Sequence, residues 1–201
     1  MERRASSPGP KGGTPLSPST SRVLTFSVLL LSTVVLQGSG MQPKILGVKE
    51  FSVIGIEART NNAKEMTNGG VIPKQWNKFF AEGILARIPN KVNETIYALY
   101  TDYASDRNGD YTFFIGAEVS GTAVIPAGMV AKKVPVGKYA VISSARGPVQ
   151  KVVPQAWQQV WGLEDKSQLG GARTYRTDFE VYDQRSRDPQ DSQIDIFVGT
   201  K

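Results

Sequence analysis

Apolar positions recur at helical spacing in two separate parts of the chain. Residues 72–80 read IPKQWNKFF and residues 153–161 read VPQAWQQVW, so a proline precedes a tryptophan by three positions in both. In the second segment the apolar stripe extends back to Val149, with spacings of three and four residues that favour an amphipathic helix. Proline is tolerated in the first helical turn, because its missing N–H has no partner there. We therefore expect each segment to begin a helix that lies with its apolar face on a sheet.

The segments around these two helices repeat as well. One strand pattern precedes each helix, and two strand patterns separated by a polar turn follow it. The matched pairs are 51–59 with 137–146, 95–103 with 177–185, and 113–116 with 196–199. Short strands joined by tight turns favour antiparallel pairing. The order predicts an α+β domain made from a duplicated βαββ unit, with an antiparallel sheet and two main helices packed on one face.

Composition excludes several classes of chemistry. The chain has no cysteine and no histidine, which excludes disulfides, thiolate or histidine metal sites, and Ser-His-Asp hydrolysis. No glycine-rich phosphate loop follows a strand, and we expect no cofactor and no metal. The net charge is +6, but residues 1–40 hold four of the basic residues against one acidic residue. The rest of the chain has no basic run, so we expect no direct binding of nucleic acid.

The first forty residues differ in character from the rest. Residues 5–21 are rich in Ser, Pro, Gly and Thr and are expected to be disordered. The apolar stretch 23–36 is too short for a stable membrane span, but it fits a signal peptide for export, cleaved near residues 38–40. Alternatively, Met41 is the true start and the protein is cytoplasmic. This second interpretation is favoured, because the region before the apolar stretch is unusually long for a signal peptide. The folded domain is expected over residues 41–201.

Several motifs, in their order along the chain, resemble a known family. They are Gly-Lys-Tyr-Ala-Val (137–141) with Arg-Gly-Pro (146–148), Trp-x-x-x-Trp (157–161), Asp-Phe-Glu-Val-Tyr-Asp (178–183) and Ile-Asp-Ile-Phe-Val-Gly (194–199). Together they resemble the GyrI-like small-molecule-binding domain, also called the AraC-type effector-binding domain. The resemblance implies a duplicated βαββ architecture with a cleft that binds hydrophobic, often cationic, small molecules. In that family a buried Glu in a Phe-Glu-x-Tyr strand commonly meets the charge of the ligand, and Glu180 occupies this position.

Glu180 is also a candidate ligand-binding residue when the family resemblance is set aside. Strand alternation places Glu180 and Tyr182 on one face, and the repeat places Glu180 opposite Ala98. A carboxylate among aromatic side chains is costly unless it is paired or meets a ligand. An aromatic box with one acid attracts organic cations through charge and cation–π attraction. The alternatives are that Glu180 faces solvent, or that it pairs with Arg173 or Arg176.

The other candidate residues are aromatic. Four of them are expected to line the cleft as walls, namely Trp76, Phe80, Trp157 and Trp161. A tryptophan stripe at helical spacing is also typical of a core. Tyr182 and Tyr100 are related by the repeat and lie on the face of Glu180, where they would hydrogen-bond a ligand or cap the sheet. Tyr139 is a further candidate, and the pattern does not decide on which face of the sheet its side chain lies.

Three functions are compatible with these residues. The favoured one is a stand-alone, non-enzymatic domain that senses or sequesters a hydrophobic, cationic compound, with no helix-turn-helix expected before Phe51. In the second, Glu180 with Tyr182 or Tyr100 activates water to hydrolyse a small electrophile, as some members of the resembling family do. In the third, the domain modulates a protein partner, as gyrase-inhibiting members do. The sequence leaves the natural ligand and the oligomeric state open.

Overall fold

The structure, a computed structural model, describes residues 43–201 of the chain. The apolar stretch 23–36 and the alternative start at Met41 lie outside the described residues, so a signal peptide and a cytoplasmic start both remain predictions. Within residues 43–201, no helix is both long enough and apolar enough to cross a membrane.

Eight strands and four α-helices occur in the described residues. The strands are β1 (Lys44–Val48), β2 (Phe51–Thr60), β3 (Lys91–Thr101), β4 (Tyr111–Val119), β5 (Val130–Val134), β6 (Gly137–Ser143), β7 (Thr177–Tyr182) and β8 (Asp195–Thr200). The helices are α1 (Asn62–Glu65), α2 (Ile72–Ala81), α3 (Ile84–Arg87) and α4 (Val149–Asp165), and a 3₁₀ turn covers Gln184–Ser186. The two long helices, α2 and α4, are the two that the apolar stripes predict.

All eight strands join one antiparallel sheet in the order β1-β6-β8-β7-β3-β4-β2-β5. The order is symmetric about its centre, where β7 of the second copy pairs with β3 of the first. The strand that precedes each copy in the chain pairs with the other copy. The strand β1, before the first copy, pairs with β6 of the second, and β5, before the second copy, pairs with β2 of the first. The duplicated βαββ unit is confirmed, and the exchanged edge strands are an addition that the sequence pattern did not predict.

The pairing of β3 with β7 places Glu180 at the centre of this symmetry. Ala98 pairs directly with Glu180, and the two positions are equivalent in the repeat because 82 residues separate them. An approximate twofold axis therefore passes between Ala98 and Glu180. Tyr100 and Tyr182, which are also 82 residues apart, each lie two positions further along their own strand and so on the same face.

The helices lie on one face of the sheet, as predicted. On the first copy α2 and α3 pack around Phe79, and on the second copy α4 packs around Val160. Tyr100 and Tyr182 contact both of these clusters. The opposite face of the sheet carries a third cluster, which includes Phe179. The cleft between the two helical halves consequently opens over the face that carries Tyr100 and Tyr182.

Two glycines allow β2 and β4 to approach each other closely. Gly55 lies directly opposite Gly116. A Cβ atom on Gly55 would overlap the carbonyl oxygen of Ile115, and one on Gly116 would overlap that of Ile54. Because the obstructing atoms belong to the backbone, no side chain can be accommodated at either position without moving a strand.

Pro154 departs from the expected position in its helix. The helix α4 begins at Val149, so Pro154 lies in the interior of the helix and not in its first turn. There its ring removes the N–H that would bond to the carbonyl of Gln150. Pro73 does lie in the first turn of α2. This helix ends just before Gly83, whose φ of 58° lies in the left-handed region that glycine adopts readily.

Candidate functional site

Glu180 is a buried carboxylate whose hydrogen-bond donors are all neutral. Only 1% of the residue is exposed. Its Oε1 accepts hydrogen bonds from Tyr100 Oη at 2.8 Å and from Trp157 Nε1 at 2.6 Å. Its Oε2 accepts one from Tyr182 Oη at 2.8 Å. Glu180 is therefore not on a solvent face, and its partners are not the arginines considered from the sequence.

A buried ion pair explains why Arg173 is not available to Glu180. The Arg173 side chain, 2% exposed, donates from Nη2 to Asp178 Oδ2 at 2.7 Å and from Nη1 to Glu164 Oε2 at 3.1 Å. The hydroxyl of Tyr103 donates to the same Asp178 oxygen at 2.9 Å. Of the two acids on β7, Asp178 thus has a cationic partner, and Glu180 has neutral ones only.

Burial without a counter-ion determines the acidity of Glu180. Loss of hydration disfavours the carboxylate and raises the pKa of Glu180 above its ordinary value, and the hydrogen bonds from Trp157, Tyr182 and Tyr100 oppose this rise. Burial, together with the neighbouring Glu180 charge, also raises the pKa of Tyr100 and Tyr182 well above the usual range. The tyrosines stay neutral donors, so none of the hydrogen-bond partners of Glu180 carries a positive charge that would offset its own.

Two compartments of unequal size are lined in part by the hydrogen-bond donors of this carboxylate. The small compartment, about 380 Å³, is lined by the aromatic rings of Tyr100, Tyr103, Tyr111, Trp157 and Trp161 and by the charged side chains of Glu65, Arg107 and Arg173. The large compartment, about 1120 Å³, has apolar walls from Trp76, Phe80, Leu85, Ile96 and Tyr182. Four side chains line both compartments and are called the neck here, namely Ile72, Pro73, Val153 and Pro154. The equivalent proline segments of the two copies therefore meet where the compartments adjoin.

Glu180 reaches both compartments through its donors. Tyr100 and Trp157, which hold Oε1, line the small compartment, and Tyr182, which holds Oε2, lines the large one. The carboxylate itself lies behind these rings, because it is almost completely buried. A molecule in the cleft would contact the aromatic rings and would interact electrostatically with Glu180 across them.

The structure brings seven of the eight predicted site residues together. They are Glu180, Tyr182, Tyr100, Trp157, Trp161, Trp76 and Phe80. In the large compartment the Trp76 ring stacks on Phe80 with centroids 5.7 Å apart and meets Tyr182 edge-on at 5.0 Å. In the small compartment Trp157 meets Tyr100 edge-on at 4.7 Å. Phe80 is 64% exposed, which makes it an outer wall and not a core residue.

Tyr139 is the predicted site residue that lies elsewhere. Its ring packs against Phe179 with centroids 5.3 Å apart, and its hydroxyl donates to the carbonyl of Pro135 at 3.0 Å. Phe179 precedes Glu180 on β7, so alternation puts Phe179 and the Tyr139 ring on the face opposite the cleft. The structure therefore separates Tyr139 from the cleft.

Sequence reasoning missed several residues of the small compartment. Tyr103, Tyr111 and Glu65 line it, and none of them was among the predicted site residues, although Tyr103 ends the repeated segment 95–103. Strict alternation along β3 would turn Tyr103 away from Tyr100. Asp102 interrupts the alternation with a φ of 50°, a left-handed conformation that Asp tolerates better than most residues. Among the described residues there is no cluster of His, Cys, Asp and Glu that could hold a metal ion.

Comparison with known proteins gives one matching family model and two similar sequences. The sequence model of the family named Cass2, integron-associated effector binding protein, matches residues 44–199. The protein YobU of Bacillus subtilis is 34% identical over 157 residues, which cover 78% of this chain and 94% of YobU. The transcriptional regulator BrlR of Pseudomonas aeruginosa is 29% identical over 167 residues, and the chain covers 55% of its length.

Two solved structures are similar to this fold. The crystal structure of an integron cassette protein from the mobile metagenome of Vibrio cholerae is 28% identical, with a TM-score of 0.64, and the match covers 80% of this chain and 97% of that one. SAV2435, solved with tetraphenylphosphonium bound, is 20% identical with a TM-score of 0.65, and the match covers 80% of this chain and 94% of that one. At 20% identity the second likeness concerns the fold alone.

Proposed function

The chain belongs to the integron-associated effector-binding family, with the GyrI-like fold, and on that premise we propose that it binds hydrophobic organic cations in the cleft beside Glu180. One observation carries the proposal: Glu180 is buried, and its three hydrogen-bond donors are neutral. A buried carboxylate without a counter-ion is unfavourable in the empty protein. A cationic ligand supplies the missing charge, so part of the binding free energy comes from relieving this cost.

The walls of the cleft suit the apolar part of such a ligand. Trp76, Phe80 and Tyr182 present ring surface in the large compartment, and Trp157 and Tyr100 do so in the small one. Each ring that faces a cation adds on the order of 0.5–2 kcal/mol of attraction beyond the burial of apolar surface. Tetraphenylphosphonium, which SAV2435 binds, combines a single positive charge with four aromatic arms and is the natural first probe.

The role that follows is that of a sensor or sequestering domain for such compounds. BrlR is named a transcriptional regulator, which agrees with a domain that reports the presence of a small molecule to a partner. Hydrolysis of a small electrophile by Glu180 with Tyr182 or Tyr100 has less support. Three of the four lone-pair positions of the carboxylate already accept hydrogen bonds, and a general base needs room for a water.

The test is calorimetric titration of the full chain with tetraphenylphosphonium and with triphenylphosphine oxide, a neutral analogue. We expect the wild type to prefer the cation and Glu180→Gln to lose that preference. Glu118→Gln is the matched control, because Glu118 is partly buried and, like Glu180, accepts a hydrogen bond from a tyrosine, Tyr97, at 3.3 Å. Neither Glu118 nor Tyr97 lines either compartment. Absence of cation binding, or equal affinity in wild type and Glu180→Gln, would contradict the proposal. Turnover of an epoxide that is lost in Glu180→Gln would support hydrolysis instead.

A further inference from the structure

The loop between β3 and β4 reaches from one copy of the repeat to the other. Residues 102–110, called the strap here, leave β3 after Thr101 and join β4 at Tyr111. The strap belongs to the first copy in sequence, yet the side chain of Arg107 ends at the last turn of α4 in the second copy. Tyr103 and Arg107 both line the small compartment, so the strap forms part of the wall of that compartment.

Several hydrogen bonds hold the strap to the first copy. Arg59 on β2 donates to the carbonyl oxygens at both ends of the strap, to Asp102 at 2.5 Å and to Asp110 at 3.0 Å. Asn62 on α1 donates from its side-chain amide to the carbonyl oxygen of Arg107 at 2.8 Å. The main chain of Arg107 is therefore fixed to the first copy by a bond that does not depend on the charge of its own side chain.

The side chain of Arg107 connects the strap to the second copy through an ion pair. Its Nη2 lies 2.8 Å from Asp165 Oδ1, and its Nη1 lies 3.8 Å from Glu164 Oε2. These two acids end α4, where the helix dipole disfavours negative charge, and the last turn of the helix contains no basic residue. Arg107 supplies a positive charge at this helix end, so the dipole of α4 adds to the attraction.

The Arg107–Asp165 ion pair is weak enough to break and re-form. The side chain of Arg107 is 33% exposed and that of Asp165 is 59% exposed. Exposed ion pairs of this kind favour the paired state by about fivefold at most, and added salt screens them. The main-chain bond at Arg107 remains when the ion pair breaks, so release moves the side chain and leaves the strap in place.

Tyr103 connects the strap to the second copy in a different way. Its Oη donates to Asp178 Oδ2 at 2.9 Å and accepts a hydrogen bond from Arg173 Nη2 at 3.2 Å. Asp178 and the Arg173 side chain are buried. Loss of this contact would take a donor from a buried carboxylate, which is unfavourable. Of the two connections, the one at Arg107 is therefore the one that releases.

Arg107 bounds one side of the small compartment. Its carbonyl oxygen is bound to Asn62, which also lines the compartment, and its guanidinium is bound to Asp165 on the other copy. We propose that Arg107 is a latch: pairing with Asp165 closes this side of the small compartment, and release opens it. The latch controls how fast molecules enter and leave, as mobile loops do at other sites. The inference does not depend on which class of compound the cleft binds.

Quenching of tryptophan fluorescence by acrylamide, a neutral molecule, tests the latch without a ligand. Trp157 and Trp161 line the small compartment. Trp76 lines the large one and is replaced by Phe in every protein compared, so that the signal reports on the small compartment. Arg107→Gln and Asp165→Asn should each raise the quenching constant about two- to threefold, because a preference of about fivefold for the closed state is lost.

Salt provides a measurement with both latch residues intact. Raising the salt concentration to about 1 M should increase the quenching constant of the protein that carries Arg107 and Asp165, because the ion pair is screened. The same salt should leave Arg107→Gln and Asp165→Asn unchanged. If the protein with both residues intact does not respond to salt, the latch is wrong, whatever the variants show.

A double variant and a separate ion pair supply the controls. If Arg107 and Asp165 act as one latch, the double variant should be quenched no more than either single variant. Asp191→Asn removes an exposed ion pair with Arg146, 3.0 Å long, near the other end of α4, and should have no effect. No rise in either single variant, additive rises in the double variant, or an equal rise in Asp191→Asn would overturn the latch. An unchanged midpoint of urea unfolding shows that a rise does not come from partial unfolding.

Discussion

Ala98 lies directly opposite Glu180 on the neighbouring strand, and the two residues are equivalent positions of the duplicated unit. Two glutamates at this pair would repel each other, and one of them would hold a proton. Two alanines would leave the twofold axis without a charge. The pair that is present supplies a single acid on the twofold axis, and the small Ala98 side chain leaves room for the Glu180 side chain beside Tyr100. One difference between the copies thus places a single buried acid at the centre of the repeat.

Cation affinity should depend on pH through Glu180. Because the pKa of Glu180 is raised in the empty protein, a proton competes with the cation for the carboxylate. We expect affinity for tetraphenylphosphonium to rise with pH until the pH exceeds that pKa, by at most about tenfold per pH unit, and then to level off. Binding below the plateau should release a proton, which calorimetry in buffers of different ionisation enthalpy measures. Glu180→Gln should show a flat profile, and a flat profile in the wild type would contradict the assignment.

The stability of the ligand-free protein should also depend on pH, and the raised pKa of Glu180 sets the sign of that dependence. A carboxyl whose folded pKa is raised contributes stability that is complete below its unfolded pKa, about 4.3, and is lost as the pH rises through the folded pKa. The wild type should therefore lose stability relative to Glu180→Gln as the pH rises, by about 1.4 kcal/mol for each unit by which the pKa of Glu180 is raised.

Urea unfolding of both proteins between about pH 4 and pH 8 measures this difference. Saturating tetraphenylphosphonium should remove the wild-type penalty at high pH, because the bound cation then compensates the charge. A difference between wild type and Glu180→Gln that stays constant with pH would show that Glu180 has the same pKa in the folded and unfolded states.

The sequence predicted the repeated core well because that core depends on local patterns. The apolar stripe that includes Trp157 requires a helix on a sheet, and alternation in 177–182 requires a strand with Glu180 on one face. The edge strands β1 and β5 were not predicted. Each pairs with the opposite copy, and such long-range exchange leaves no signal in a short window of sequence.

The residues of the site also differ in whether a local pattern or long-range pairing determines their position. Glu180, Tyr100 and Tyr182 could be predicted, because strand alternation and the repeat place all three on one face. Tyr139 could not be placed, because its face depends on which neighbour β6 pairs with, and that pairing is set by the whole sheet. Tyr103 enters the cleft through the left-handed turn at Asp102, a backbone conformation that alternation does not foresee.

Trp157 should control the acidity of Glu180 through a single hydrogen bond. Its Nε1 donates to Glu180 Oε1 at 2.6 Å, and this bond favours the charged form of the acid. Trp157→Phe keeps an aromatic wall and removes the donor. Hydrogen bonds to charged groups contribute about 1.5–3 kcal/mol, so the midpoint of the pH profile for cation binding should move up by about one to two units.

Trp161→Phe is the control for that measurement. Trp161 lines the same compartment as Trp157, but the hydrogen bonds to Glu180 come from Trp157, Tyr100 and Tyr182. The change from indole to phenyl is the same, and the midpoint should stay where it is in the wild type. Equal shifts in both variants would mean that the size of the ring, and not the donated hydrogen bond, sets the pKa of Glu180.

The Arg173–Asp178 ion pair should be a major determinant of stability. Both side chains are buried, and the Nη2 to Oδ2 distance is 2.7 Å. Removal of one partner leaves an uncompensated charge in the interior, so Arg173→Met should lower the free energy of unfolding by about 3–5 kcal/mol. Arg146→Met is the matched control, because Arg146 pairs with Asp191 on the surface at 3.0 Å. There the loss should be at most about 1 kcal/mol.

The double variant separates the charge effect from loss of packing. In Arg173→Met with Asp178→Asn neither position of the pair carries a charge, so a substantial part of the stability lost in Arg173→Met should return. Urea unfolding of the four proteins, wild type included, gives the coupling energy directly. A double variant that is less stable than Arg173→Met would show that the arginine acts mainly through packing against the rings of Tyr175 and Tyr103, over which it lies at 4.5 and 5.7 Å. Recovery would show that Asp178 needs a permanent cation, which is the partner that Glu180 lacks.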